Sequence, residues 1–162
     1  MLGIDNAVQN RFVWAERRFI SEAKFELLRR YEVRSGDVIV TIMGTTGRSA
    51  VVPDDIPRAI STKHIATVTP DRSRVIPQFL SHTIHSNSEV ARQISAANHG
   101  AIMAGLNVGV IRRLRVRVPP LALQQQFETA VLKIYAVVDR MTQASHESDG
   151  LSGAVAQRAF RE

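Results

Sequence analysis

Carboxylates, imidazoles and glycine turns are the groups from which hydrolytic or metal chemistry would be built, and the chain holds three sets of them. Asp5 with Glu22-x-Lys24 has the residue types of a magnesium-dependent nuclease, in which carboxylates hold the metal and a lysine supports the attacking water. Glu22 and Lys24, however, follow Ser21 at the start of a helical pattern, where charged residues are ordinary, and no strand presents them together. His82-x-x-His85 sets two imidazoles one helical turn apart, but no His-Glu-x-x-His or cysteine pattern accompanies them, so they read as surface histidines. Gly44-Thr45-Thr46-Gly47 lacks the spacing and the Lys-Ser/Thr of a phosphate-binding loop and reads as a turn. Cysteine is absent, which excludes thiolate metal sites, cysteine nucleophiles and disulfides. No catalytic residue, metal site or cofactor is assigned, and a metal-dependent nuclease ranks last among the functions considered.

The chain is better supplied for binding a polyanion. Its 21 Lys and Arg against 15 Asp and Glu give a formal charge of +6, which favours nucleic acid through steering and counterion release. Only Lys24, Lys63 and Lys133 are lysines; the other cations are arginines, whose planar forks suit phosphates and guanine edges. Duplex recognition needs such groups on loops held by a rigid scaffold. Arg48 follows the glycine turn, Arg58 precedes a strand, and Lys63-His64 leads into another. Asn98, His99 and Asn107 flank a glycine-containing loop, where amides could pair with adenine. Arg112, Arg113, Arg115 and Arg117 form the densest basic run. Alternation with Leu114, Val116 and Val118 reads as an exposed strand with Arg113, Arg115 and Arg117 on one face, either a phosphate track or an edge protected by charge.

The elements that must position these residues follow in order. Ser21 is an N-cap for a short helix through Tyr31. After Ser35-Gly36-Asp37, the β-branched run from Val38 to Met43 is a buried strand, and the glycine turn returns the chain as a hairpin through Ser49 to Pro53. Residues 59–62 and 64–70 are two more strand pieces. Helical spacing covers residues 78–97, as one helix or two, since Asn87 and Ser88 can interrupt it. Beyond Pro119-Pro120, Phe127, Val131, Ile134, Val138 and Met141 recur at intervals of four and three, a heptad seam of about two heptads. It serves either pairing with another helix, including a homodimer, or packing against its own domain. The first residues show no secretory signal and no run is long enough to span a bilayer, so a cytoplasmic protein without membrane contact is expected.

Four segments, in order, resemble the specificity subunit of type I restriction-modification enzymes: Gly36-Asp37-Val38-Ile39-Val40 with Gly44-Thr45-Thr46-Gly47-Arg48; Ser61-Thr62-Lys63-His64-Ile65-Ala66; Val118-Pro119-Pro120-Leu121-Ala122-Leu123-Gln124-Gln125; and Gln157-Arg158-Ala159-Phe160-Arg161. The resemblance implies an α+β fold, a mixed sheet and hairpin target-recognition domain with packed helices over residues 1–118, shortened at its front. A long protruding C-terminal helix, the spacer or dimerisation element, and a terminal segment would follow over 119–162. It also implies sequence-specific binding of double-stranded DNA, with modification (methyltransferase) subunits as partners and a restriction subunit as a further one. Such a chain would be no enzyme. The competing expectation is a helix-mediated interaction fragment that does not itself bind DNA.

Overall fold

The computed structural model of the protein describes residues 1–97 and 106–159, with the side chains of the last helix described over 121–145 and at 147. Two compact units divide the chain, Met1–Gln124 and Gln125–Glu162. In the first, β1 (Ala7–Val8) and β2 (Arg11–Phe12) form a hairpin, followed by α1 (Glu22–Leu27) and β3 (Glu32–Val33). Then come β4 (Val38–Thr41), β5 (Ser49–Val51), β6 (Ala59–Ile60) and β7 (Ile65–Val68). Three helices follow, α2 (Pro77–Ser86), α3 (Ser88–Ala97) and α4 (Val108–Arg113), and α5 (Leu121–Ala159) starts here and continues as the second unit. The architecture is α+β.

The central sheet is antiparallel in the order β5-β4-β7, and β3 pairs separately with β6. Every residue of β4 is buried. Side chains alternate across a strand, so Val38, Val40 and Ile42 enter one apolar cluster with Ala66, Ile84, Val90, Ile94, Leu106 and Ile111, under the helices. Ile39 enters another with Leu2, Ala7, Val33, Ala50, Val52, Ala59 and Ile65. A strand covered on both faces cannot tolerate polar alternation, which is why Val38 to Val40 read as a continuous apolar run and why the hydroxyl of the buried Thr41 beyond them is hydrogen-bonded. α1 is capped by Ser21, whose hydroxyl accepts from the Lys24 N–H at 3.3 Å. The helical stretch after Pro77 breaks at Asn87, whose side chain accepts from the N–H groups of Glu89 and Val90 and so starts α3.

Polar joints lock the pieces together. Gly36 adopts φ +75°, and the Arg72 guanidinium occupies the space where a Cβ would stand. The buried Asp37 carboxylate accepts from the Arg34 N–H at 2.8 Å and the Thr69 hydroxyl at 2.7 Å, closing the turn into β4. Gln124, fully buried, accepts from the Ile76 N–H at 2.9 Å and donates to the carbonyls of Arg74 and Pro119 at 3.0 and 2.7 Å, fixing the first turn of α5. Asn10 ties the β1–β2 hairpin to the body. Its two-residue turn holds Gln9 and Asn10 at φ +49° and +61°, the left-handed pair that such hairpins require. The Ser49 hydroxyl donates to the Ser81 carbonyl, and the Ser81 hydroxyl donates to Asn10 Oδ1, both at 2.7 Å.

Asn10→Ala should therefore cost about 1–3 kcal/mol, because the buried Ser81 hydroxyl would lose its 2.7 Å acceptor and keep only the Ser49 hydroxyl at 3.2 Å, while alanine is strained in the left-handed region. Asn10→Gly should cost less, since glycine escapes the penalty of about 1–2 kcal/mol that alanine carries in the left-handed region. Urea denaturation of both variants measures the difference. Equal losses would mean that the backbone angle contributes nothing.

Candidate nucleic-acid interface

One end of the central sheet gathers the loops that carry Arg48, Lys63 and His64, while others among the expected binding residues lie elsewhere. Ile65 of β7 lies opposite Thr41 of β4, and Arg48, just before β5, faces Thr41 from the other side. One row further, the Ile42 N–H donates to the His64 carbonyl at 3.0 Å. Arg48 and His64 thus stand two strands apart, about 10 Å at about 4.8 Å per strand. The start of α4 meets the same end, because the Leu106 N–H donates to the Ile42 carbonyl at 2.7 Å. Lys63 and Arg48 are exposed there, and His64 is half-buried.

The hairpin that presents Arg48 is held from inside. The buried Thr41 hydroxyl donates to the Thr45 carbonyl and accepts from the Arg48 N–H at 3.0 Å. Gly47, at φ +83°, brings the return strand close enough that a Cβ there would meet Ile94 Cδ1 at 3.4 Å. Arg48 therefore leaves a turn with little freedom.

Other expected residues are placed differently. Arg58 pairs with both Glu22 and Glu26 of α1 and lies 4.2 Å over the Phe25 ring. Its hydrogen bond to Glu22 leads the effects that raise its pKa further above the ordinary arginine value. It clasps α1 and is no free cation. Asn107 is the N-cap of α4, its side-chain oxygen accepting from the Val110 N–H at 2.9 Å. Asn98 and His99 lie outside the described residues.

The basic run is not a strand. Arg112 and Arg113 end α4, where cations suit the negative end of the helix dipole. Residues 114–120 then carry no regular secondary structure and enter no sheet. The alternation expected of an edge strand is nonetheless present, since Leu114 and Val116 pack on the core beneath the helices while Arg113, Arg115 and Arg117 are exposed. Sheet pairing fails because α3 occupies the place of a neighbouring strand: the Gln93 carboxamide bonds both backbone groups of Arg115, at 2.8 and 2.9 Å. Arg117 reaches Glu89 at 3.5 Å. Among the described residues, no carboxylate pairs with Arg48, Lys63, Arg112, Arg113 or Arg115. On α5, Ile134, Val138 and Met141 are exposed, Phe127 is barely so, and Val131 is buried.

Two residues read as surface histidines are half-buried beside the hairpin. Burial, and then the charge of His85, holds His82 below the ordinary histidine pKa; burial, and then Arg48, does the same for His85. His85 Nδ1 is buried without a hydrogen-bond partner. Their sequence signal was the turn spacing alone, which does not show how far packing of α2 buries them. Among the described residues, no three of His, Cys, Asp and Glu gather closely enough to hold a metal ion.

A histidine whose pKa is lower in the folded than in the unfolded chain leaves stability intact above the unfolded value of about 6.5 and removes it as pH falls through the folded value. The melting temperature should consequently drop between about pH 7.5 and 5.5, and His82→Gln with His85→Gln should flatten that drop. An unchanged slope in the double variant would assign the loss to other groups.

No family model matches the chain. It is 25% identical over 137 residues to the specificity subunit of the type I restriction enzyme EcoBI of Escherichia coli, covering 82% of this chain and 28% of that protein. A chain in a solved type I restriction-modification system superposes with a TM-score of 0.60 at 23% identity, over 80% of this chain and 34% of that one. The HsdS subunit from Thermoanaerobacter tengcongensis gives a TM-score of 0.54 at 24% identity, over 70% of this chain and 28% of that one. The two structures share its fold, and the chain spans only 28–34% of the length of these three proteins. Over most of its length, the chain is homologous to part of a type I restriction-modification specificity subunit.

Proposed function

We propose that the chain is the DNA-recognition component of a type I restriction-modification complex, acting in the cytoplasm and carrying no catalysis of its own. Residues 1–118 form the recognition domain, which reads double-stranded DNA and directs modification subunits, and with them a restriction subunit, to a target. The observation that carries this reading is the convergence of Arg48, Lys63 and His64 on loops at one end of a sheet whose central strand is buried on both faces. Cations on a rigid frame bind phosphate without first having to be ordered. Arg112, Arg113 and Arg115 extend the basic surface.

Residues 119–162 supply the spacer or dimerisation helix. Its exposed apolar residues favour the second reading, a piece that works by docking to another helix: Ile134 is 60% and Met141 68% exposed. Pairing of two copies along the exposed part of the seam, Phe127, Ile134, Val138 and Met141, with Val131 already covered within the chain, would unite both readings, because a twofold pair presents two recognition domains to a bipartite site.

DNA binding should be strongly salt-dependent, with a slope of about −0.9 per neutralised phosphate, so that four contacts lower affinity by about two orders of magnitude between 50 and 200 mM salt. Gel shifts against excess nonspecific competitor, with modification subunits added, measure it; salt-independent binding, or none, would sink the proposal. Arg48→Ala and Lys63→Ala should weaken binding while changing stability by less than about 0.5 kcal/mol. Loss of the cooperative melting transition in either variant would make that residue structural. For the helix, Ile134→Asp with Val138→Asp should yield a folded monomer that binds DNA more weakly. A wild type that sediments as a monomer at high concentration would refute pairing.

A further inference from the structure

We infer that Gln93 is a positioning residue for DNA binding, its carboxamide holding the segment from Leu114 to Arg117 extended where it leaves α4, so that the Arg115 guanidinium is presented beside those of Arg112 and Arg113 at the helix end. The inference rests on the DNA-binding reading above and names a part of that surface which the charges alone do not reveal. The Arg115 N–H donates to Gln93 Oε1 at 2.8 Å, and Gln93 Nε2 donates to the Arg115 carbonyl at 2.9 Å. This is the pair of bonds that an antiparallel strand neighbour exchanges with one residue. Only the amide side chains carry a donor and an acceptor in the geometry of a peptide, so few residue types could take this place.

The spacing of a second contact shows that the fit is a matter of register. Glu89 lies four residues before Gln93, on the same face of α3, and meets Arg117, two residues beyond Arg115. Four helical residues rise about 6.0 Å, and two extended residues advance about 6.6 Å. The segment therefore runs antiparallel to α3, fastened by the two backbone bonds at Gln93 and met again by the exposed Glu89–Arg117 pair, while Leu114 and Val116 press on the core from the side. Gln93 grips the backbone of Arg115 and leaves its guanidinium free, whereas Glu89 engages the side chain of Arg117. The same helix supports both basic regions of the proposed interface, since Ile94 stands under the hairpin turn at Gly47.

The test compares wild type, Gln93→Ala, Arg115→Ala and the double variant in anisotropy titrations of the full chain against a random-sequence duplex, over a salt series at a temperature where all remain folded. Gln93→Ala should weaken binding by about two- to tenfold, the range expected when one or two side chains must be ordered on binding. The salt slope should become shallower by about 0.9 for each phosphate contact released. Arg115→Ala should then cost less in the Gln93→Ala background than in the wild type. Should the alanine variant fail to fold, Gln93→Leu, similar in length and helix propensity, replaces it and is read the same way. If Arg115→Ala weakens binding and Gln93→Ala leaves affinity and slope at wild-type values, even with a lower melting temperature, Gln93 is merely structural and the inference is overturned. If the wild type itself binds without salt dependence, or not at all, the DNA-binding reading falls and takes this inference with it.

Discussion

Because both faces of β4 are dry, each side chain from Val38 to Thr41 must find an apolar or hydrogen-bonding partner, and the rest of the first unit is disposed to provide one. On one side the partners come from α2, α3, α4 and Leu106; on the other they come from the N-terminal segment and from residues of β3, β5, β6 and β7. Sandwiching a short strand in this way fixes its register strongly, since a slip of one residue would exchange the two clusters. The register in turn fixes what lies at the strand end. Thr41 is the last residue of the strand, and its hydroxyl shapes the turn that carries Arg48.

Net charge alone overstates the cationic surface available to a partner. Arg18, Arg29, Arg34, Arg58 and Arg117 each face a carboxylate. Exposed pairs of this kind contribute little to stability, but they withdraw their guanidinium groups from competition for phosphate. Of the cations that remain, Arg48 and Lys63 gather at the sheet end and Arg112, Arg113 and Arg115 follow closely in sequence at and just beyond the end of α4, while Arg17, Arg30, Arg74 and Arg92 are exposed elsewhere. Pairing thus thins the basic charge unevenly and leaves two local groups of unpaired cations, on loops or helix ends held by the core.

The segments that carry the resemblance to specificity subunits serve mainly as joints. Gly36 and Asp37 close the turn into β4, Gly47 lets the hairpin approach α3, and Gln124 anchors the start of α5 to residues 74–76. Such positions admit few alternatives, because the backbone angle, the missing Cβ or the paired donor and acceptor is specific to the residue type. The exposed cations meet no such restriction from the fold. A chain can accordingly share its framework with its relatives while its binding surface is its own.

The sequence by itself determined what depends on neighbours a few residues apart. The buried strand from Val38, the hairpin at Gly44 and Gly47, the Ser21 cap and the helix break at Asn87 all stand where local signals place them. The heptad spacing on α5 is equally local, although what covers its exposed residues is not written in the spacing. Only tertiary structure decided the state of Arg58, whose carboxylate partners lie 36 and 32 residues away. It also decided the partial burial of His82 and His85 on α2, and the path of Leu114 to Arg117. That last segment has the alternation of an edge strand, but a glutamine on a helix 22 residues earlier supplies the bonds a neighbouring strand would have made. A side chain that substitutes for a peptide group, or an ion pair closed across the fold, has no period along the chain, so it becomes visible only when the elements have packed.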